Sequence, residues 1–426
     1  MWEMKMIRLQ SSRSDSTFLS GVVATIGLFA FFSIVGCGTE SQLAGETKVI
    51  TTETSEVLTL PESRSSSTTA TTSVSFAGLA EDPRITRAEE LPTADSCQIE
   101  DVTNESIDAS SGFPRPASSV TDTNTKLLVV PVSTRDLIFG SQDVEYLNKS
   151  LEGTRNYFSA MSNSTATIEW EIIPPDDWPS FDVLAQELVG GGQFTTRLPA
   201  AQKVANAISS KYEASDFDLL AIYFAADDSI LFGEALEVEF ASTRKSVNAL
   251  IVGGGYVRFW EVMSHEIGHS WLGLEDLYSF EDNSQPMGDW DLMQQSLLVR
   301  GKTLTAWNRW LAGWVPDTSV RCVTDAGTTS HFLAPLSAGT DKPQMVVVKV
   351  SDSAVLVVES RRQSEFDNVE STTIVYTVDT ENRSGFIPIR LNAELVGVGD
   401  SGVVGNVSVS VLDRSDEGDL VSVTVL

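Results

Sequence analysis

The sequence predicts an α/β layered domain followed by a β-sandwich-like C-terminal region. Three observations carry this. Between Lys126 and Leu272, short apolar runs alternate with segments of helical period. After Trp314 the helical period disappears, and β-branched runs separated by turn residues take over. The chain has 426 residues, 42% of them apolar and 21% charged, enough for two or three domains with substantial cores.

The first 36 residues read as an export signal. Lys5, Arg8 and Arg13 form a positive leader, and Phe18 to Gly36 is uncharged and largely apolar. The run ends in Ile34-Val35-Gly36-Cys37, which resembles a bacterial lipobox. There a peptidase cuts before the cysteine and the Cys37 thiol takes a lipid. The competing reading is an uncleaved membrane anchor, since such a run just spans a bilayer. Either way the bulk of the chain is expected outside the cytoplasm. In that compartment Cys97 and Cys322 are expected to pair in a disulfide. Residues 37–120 are rich in Ser and Thr and read as a tether, with ordering expected near Cys97.

Structured elements follow in order. Leu127 to Val132 reads as a buried strand. Val144, Leu147, Leu151, Phe158 and Met161 recur at helical spacing, which predicts a helix over 142–161. Ala166 to Ile173 reads as a strand stopped by Pro174-Pro175. Pro199 is placed at the start of a helix over 199–212. Asp218 to Ala225 and Asn248 to Gly255 read as two more strands, and a helix over 257–272 closes on Gly273. The order is β-α-β-α-β-β-α. In the C-terminal region, residues 316–426, the runs MVVVKV, AVLVVES, TTIVYTVD, VSVSVL and LVSVTVL read as strands. Trp307, Trp310 and Trp314 are expected to pack the junction between the two regions.

The last helix carries His265-Glu266-Ile267-Gly268-His269. The chain has only three histidines, and two of them sit four apart here, on one helix face. Two imidazoles so placed can bind one Zn²⁺, with the Glu266 carboxylate beside them as general base for a water. A catalytic zinc takes three protein ligands. His331 lies in the β region and reads as an ordinary polar residue there. The third ligand is therefore expected to be a carboxylate, Glu275 or Asp276, brought back by a sharp turn at Gly273. The acidic loop Glu281-Asp282-Asn283, with Asp289 and Asp291, offers oxygen ligands for Ca²⁺, against the alternative of a solvated loop. The net charge of −30 argues against nucleic acid and against a polybasic membrane-binding surface.

The stretch HEIGHSWLGLEDLY, with WDLM (Trp290 to Met293) and AWNRWLAGWV (Ala306 to Val315), resembles the immune inhibitor A family of bacterial metallopeptidases in the metzincin clan. LLVVPV, NYFSAMSNSTATIEW, VVESRRQSEFD and IVYTVD resemble further parts of that family, so the likeness runs from Lys126 to Asp379. It implies a metzincin-like catalytic domain over 121–315, with a mixed sheet and an active-site helix, acting as a zinc endopeptidase on protein or peptide substrates. It implies His265 and His269 as zinc ligands, Glu266 as general base, and Met293 as the methionine of the turn beneath the metal. The family's acidic ligand precedes a Leu-Tyr pair, which matches Asp276. One departure stands out: the glycine comes four residues after the second histidine rather than three. Counted from His269, Glu275 takes the ligand position; counted from Gly273, Asp276 does, and this is the favoured reading. The departure also motivates a second reading, a surface binding or adhesion lipoprotein without activity. Substrate was expected to pair, as an added strand, with Asn248 to Val252.

Overall fold

The computed structural model describes residues 84–426 apart from 102–108, 117–118, 121–122, 191–193, 226–230, 241–244, 254–258, 280–283, 295–300, 340–341 and 382–386. The export leader, Cys37 and Glu281-Asp282-Asn283 lie outside the described residues. Among the described residues no helix is long and apolar enough to cross a membrane.

The chain is a mixed α/β protein with a β-rich C-terminal region. In chain order the first part comprises β1 (Asn124–Thr134), α1 (Ser141–Met161), β2 (Thr167–Ile172), β3 (Ser180–Phe181), α2 (Ala185–Val189), α3 (Phe194–Ile208), β4 (Leu219–Phe224), β5 (Leu231–Phe240), β6 (Lys245–Gly253), α4 (Phe259–Leu272) and α5 (Ala306–Leu311). The main sheet has the order β2-β1-β4-β6-β5, with β3 paired to the end of β1. All its pairings are parallel except β5 against β6.

The central strands β1, β4 and β6 are buried on both faces, which is why they read as unbroken apolar runs. Leu127, Val129, Ala221, Tyr223, Leu250 and Val252 face α1 and α4. Their neighbours Leu128, Val130, Leu220, Ile222, Ala249 and Ile251 face α2 and α3. Successive side chains point to opposite faces, so one apolar run serves two cores.

The C-terminal part comprises β7 (Val320–Val323), β8 (Gly327–Leu333), β9 (Met345–Lys349), β10 (Ala354–Arg361), β11 (Thr372–Asp379), β12 (Ile389–Leu395), β13 (Ser401–Val404), β14 (Val407–Ser415) and β15 (Gly418–Val425). Two sheets form, β12-β11-β10-β9-β7 and β13-β14-β15-β8. Val346, Val348, Leu356, Val358 and Val375 face Val409, Val411, Val421 and Val423 of the second sheet, making a sandwich. The other face of the five-stranded sheet is also buried. Met345, Val347, Val355, Val357, Ile374 and Tyr376 share one core with α1, α4 and the tryptophans of α5. The two regions are therefore fused through a common core rather than joined as beads.

Several expectations need correction. The helix expected over 199–212 runs from Phe194 to Ile208, with Pro199 inside it. Thr196 in its first turn donates to the Val189 carbonyl and docks α3 onto the end of α2. Asn248 to Val252 is no edge: β6 lies between β4 and β5, and Asn248 pairs with both Leu219 and Glu237. The edge on that side is β5. The stretch read as a tether is built into the fold from Arg84 onward wherever it is described. Ala94, Cys97 and Ile99 join the main core, and Cys97 is bonded to Cys322 on β7 with S–S 2.09 Å.

Candidate metal centre

Helix α4, FWEVMSHEIGHSWL, is apolar nearly all round and runs through the core shared by the two regions. A helix so placed must satisfy every polar side chain it carries. Ser264 donates to the Trp260 carbonyl, Ser270 to the Glu266 carbonyl, and Glu261 is paired with Lys302. The Trp271 indole N–H is buried without a hydrogen-bond partner among the described residues, and His265, Glu266 and His269 face one another.

The imidazoles are held from behind. Nδ1 of His265 lies 2.9 Å from the Leu292 carbonyl, and Nδ1 of His269 lies 2.6 Å from the Leu274 carbonyl. A carbonyl only accepts, so each Nδ1 carries a proton and each ring turns its Nε2 edge forward, toward the other ring and Asp276. The two Nε2 atoms are 3.2 Å apart. Oδ1 of Asp276 lies 3.0 Å from the first and 3.2 Å from the second. The three atoms converge in a near-equilateral triangle, which either a proton shared between an imidazole and Asp276 or a bound cation would satisfy. A regular tetrahedron with zinc–nitrogen bonds of about 2.0–2.1 Å has edges of about 3.3–3.4 Å. The observed edges are within a few tenths of an ångström of that, so the donor set fits a tetrahedral zinc with one position open.

Asp276, not Glu275, arrives at the triangle because of how the helix ends. The helix continues to Leu272, and Gly273 then turns the chain with φ +65°. Its N–H caps the His269 carbonyl at 2.9 Å, and the Leu274 N–H reaches the Gly268 carbonyl at 3.1 Å. The extra residue after His269 is absorbed inside the helix, and everything past the glycine moves as a unit. Glu275 points elsewhere: Ser111 donates to its Oε2 at 3.4 Å. The turn is close-packed as well as left-handed. A Cβ on Gly273 would lie 2.3 Å from Ser119 Oγ, and the Ser110 N–H donates to the Gly273 carbonyl.

The carboxylate of Glu266 lies within 4.8 Å of both imidazole nitrogens. It is 8% exposed and lies in the field of Arg197 as well as of the two imidazoles. Burial pushes its pKa up, while the two imidazoles pull the other way and do not fully offset it. For His269, burial pulls downward, but the charge and hydrogen bond of Asp276 prevail and raise it to about 9. His265 is raised for the same reason, its hydrogen bond to Asp276 outweighing burial. Burial acts upward on Asp276, yet the two imidazoles hold its carboxyl well below the usual carboxylate range. Burial, then the Asp276 charge, drives the Tyr278 hydroxyl above its ordinary value; it also hydrogen-bonds Asp276, a contact that sequence reasoning missed.

Met293 is fully buried against the middle of α4: a Cβ on Gly268 would sit 2.8 Å from its Sδ. Its N–H donates to Asp291 Oδ1 at 2.8 Å, and its carbonyl accepts from Leu277 at 2.9 Å. Asp291 is not available to calcium. Its carboxylate is fully buried and also accepts from the Thr305 N–H at 2.7 Å and from Asn308 at 3.2 Å. His331 lies on β8, buried, with Nε2 2.8 Å from Thr329 Oγ1, and takes no part in the triangle. Trp307, Trp310 and Trp314 fill the junction between the regions. Phe113 packs edge-on against the first two, and Trp271 against the third.

Compared with known proteins, the chain matches no family profile and no curated protein.

Proposed function

We propose that this protein is an exported zinc endopeptidase of metzincin-like fold, similar to the immune inhibitor A family, carried on the cell envelope by a lipid at Cys37. One observation carries the reading. His265, His269 and Asp276 bring three ligating atoms together at 3.0 to 3.2 Å, both rings are fixed through Nδ1, and the buried carboxylate of Glu266 stands beside them. That set suits a catalytic rather than a structural zinc, because three ligands leave one position open.

Zinc, when bound, supplies Lewis acidity toward a water and a scissile carbonyl. The protein's own part is acid–base work and positioning. Glu266, with its proton affinity raised by burial, takes a proton from the attacking water and delivers it to the leaving amine. The carbonyls of Leu292 and Leu274 keep the two rings aimed throughout. The outer side of β5 has no partner strand among the described residues, but Gln202 holds the N–H and carbonyl of Glu239, so an extended peptide could add there only by displacing that side chain.

The test is Glu266→Gln beside the wild-type protein on casein. Hydrolysis should fall by at least about a hundredfold, the low end for loss of a general base, with zinc retained. Equal cleavage by the two proteins would remove the assignment.

A further inference from the structure

The turn that holds His265 is itself held by the sandwich. Trp290, Asp291, Leu292 and Met293 are consecutive, and each makes a separate contact. The Leu292 carbonyl accepts from His265 Nδ1, and the Met293 carbonyl accepts from Leu277, the residue after Asp276. One short turn therefore fixes one imidazole and the segment bearing the carboxylate.

On its other side the turn meets strand β10. Arg361 Nη2 donates to the Trp290 carbonyl at 3.0 Å, and Trp290 Nε1 donates to Glu394 on β12 at 2.8 Å. Arg361 is oriented by Glu359, whose Oε1 lies 2.6 Å from Nε, and by Asp367, whose Oδ2 lies 3.2 Å from Nη1. The other oxygen of Glu359 accepts from the Ala306 N–H at 2.6 Å and from the Tyr376 hydroxyl at 2.8 Å. Ala306 opens α5. Its neighbour Thr305 donates through N–H to Asp291, which in turn accepts from Met293. Glu359, Arg361, Asp367 and Asp291 are each at most 2% exposed. Buried charges are costly unless fully paired. Hydrophobic side chains would fill this junction without that cost, so the network serves geometry.

We propose that Glu359 and Arg361 are positioning residues of the metal centre, acting through the Trp290–Met293 turn on His265. This rests on the zinc reading above. It makes the sandwich an integral part of the site rather than a detachable binding module, since Arg361 and Glu394, which anchor the Trp290 end of the turn, belong to the sandwich. His269 Nδ1 is held by the cap of its own helix at Leu274, and only its Nε2 side meets, through Asp276, the segment that the turn fixes.

That asymmetry supplies the test. The chain has three histidines, so a ¹H–¹⁵N spectrum of ¹⁵N-labelled imidazoles in the full chain resolves each. Glu359→Gln, Arg361→Lys and the milder Tyr376→Phe are compared with wild type, with and without zinc. The expected result is a shift of the His265 Nδ1–H and roughly tenfold faster exchange, with the His269 Nδ1–H moving less and His331 unmoved. Zinc affinity, read by competition with a chelator, should weaken by about 10–100-fold in the first two variants. An unmoved His265 with unchanged affinity in any folded variant overturns the proposal, as does a common shift of all three rings. Should the charge variants not fold, Tyr376→Phe, which removes one hydroxyl, decides it by the same two outcomes. Failure of the underlying reading looks different: the wild-type chain would take up no zinc.

Discussion

Asp276 is the sharpest place to perturb the site, because the sequence offers a neighbouring carboxylate as a built-in control. Asp276→Asn keeps the size of the side chain and removes its charge. In the structure that charge sits 3.0 and 3.2 Å from the two Nε2 atoms and is one corner of the triangle. Loss of a partner one step removed from a metal already costs about 10–100-fold in affinity, so loss of a ligand should cost more than about a hundredfold, roughly 2.7 kcal/mol or more. The titration of His269 should move too. Burial lowers it and Asp276 raises it to about 9, so without the carboxylate the midpoint should fall toward or below the ordinary value near 6.5. Glu275→Gln should do neither, since the Glu275 carboxylate is directed to Ser111, which donates to it at 3.4 Å. The assay is zinc affinity by chelator competition, paired with an NMR titration of the ring nitrogens. If Glu275→Gln loses the metal and Asp276→Asn retains it, the triangle has been read wrongly.

Other outcomes follow from the same geometry. Gly273→Ala combines left-handed strain of about 1–2 kcal/mol with an overpacking cost of about 1–3 kcal/mol, because the new Cβ would lie 2.3 Å from Ser119 Oγ. A denaturant midpoint unchanged from wild type would contradict it. In the metal-free protein the raised pKa of His269 contributes stability that is fully present below its unfolded value near 6.5. That contribution is lost as pH rises through about 9. Zinc must displace that proton, so affinity should strengthen from pH 6 to pH 9, with proton release visible as a buffer-dependent binding enthalpy. Reducing the bond between Cys97 and Cys322, which closes a loop of 225 residues, should cost about 2–5 kcal/mol, checked by denaturation with and without reductant.

Much of this was legible in the sequence because the relevant signals are local. The HExxH spacing fixes a helix face, and the runs at 127–132, 219–224 and 248–253 are strands buried on both sides. Elements that depend on partners were harder. β5 was missed although Leu236, Val238 and Phe240 are buried and Glu237 and Glu239 exposed. Its register breaks between Phe232 and Leu236, and the alternation holds for only five residues. Missing β5 made β6 look like the edge. Strands β7, β8, β12 and β13 are short or polar and acquire their identity only from their neighbours. The segment from Arg84 to Val120 carries few apolar residues, and Cys97 was its one sequence signal. The choice between Glu275 and Asp276 turned on whether an extra residue is absorbed before or after Gly273. Counting could not decide that, whereas the helix cap does.

The central claim is a catalytic zinc held by His265, His269 and Asp276. The most direct measurement is elemental analysis of the purified full chain, wild type beside His269→Ala, with casein hydrolysis read on the same samples. The account predicts one zinc per chain and measurable cleavage in the wild type, and neither in the variant. A wild-type chain that carries no zinc after incubation with the metal, or that cleaves equally well without His269, would contradict it.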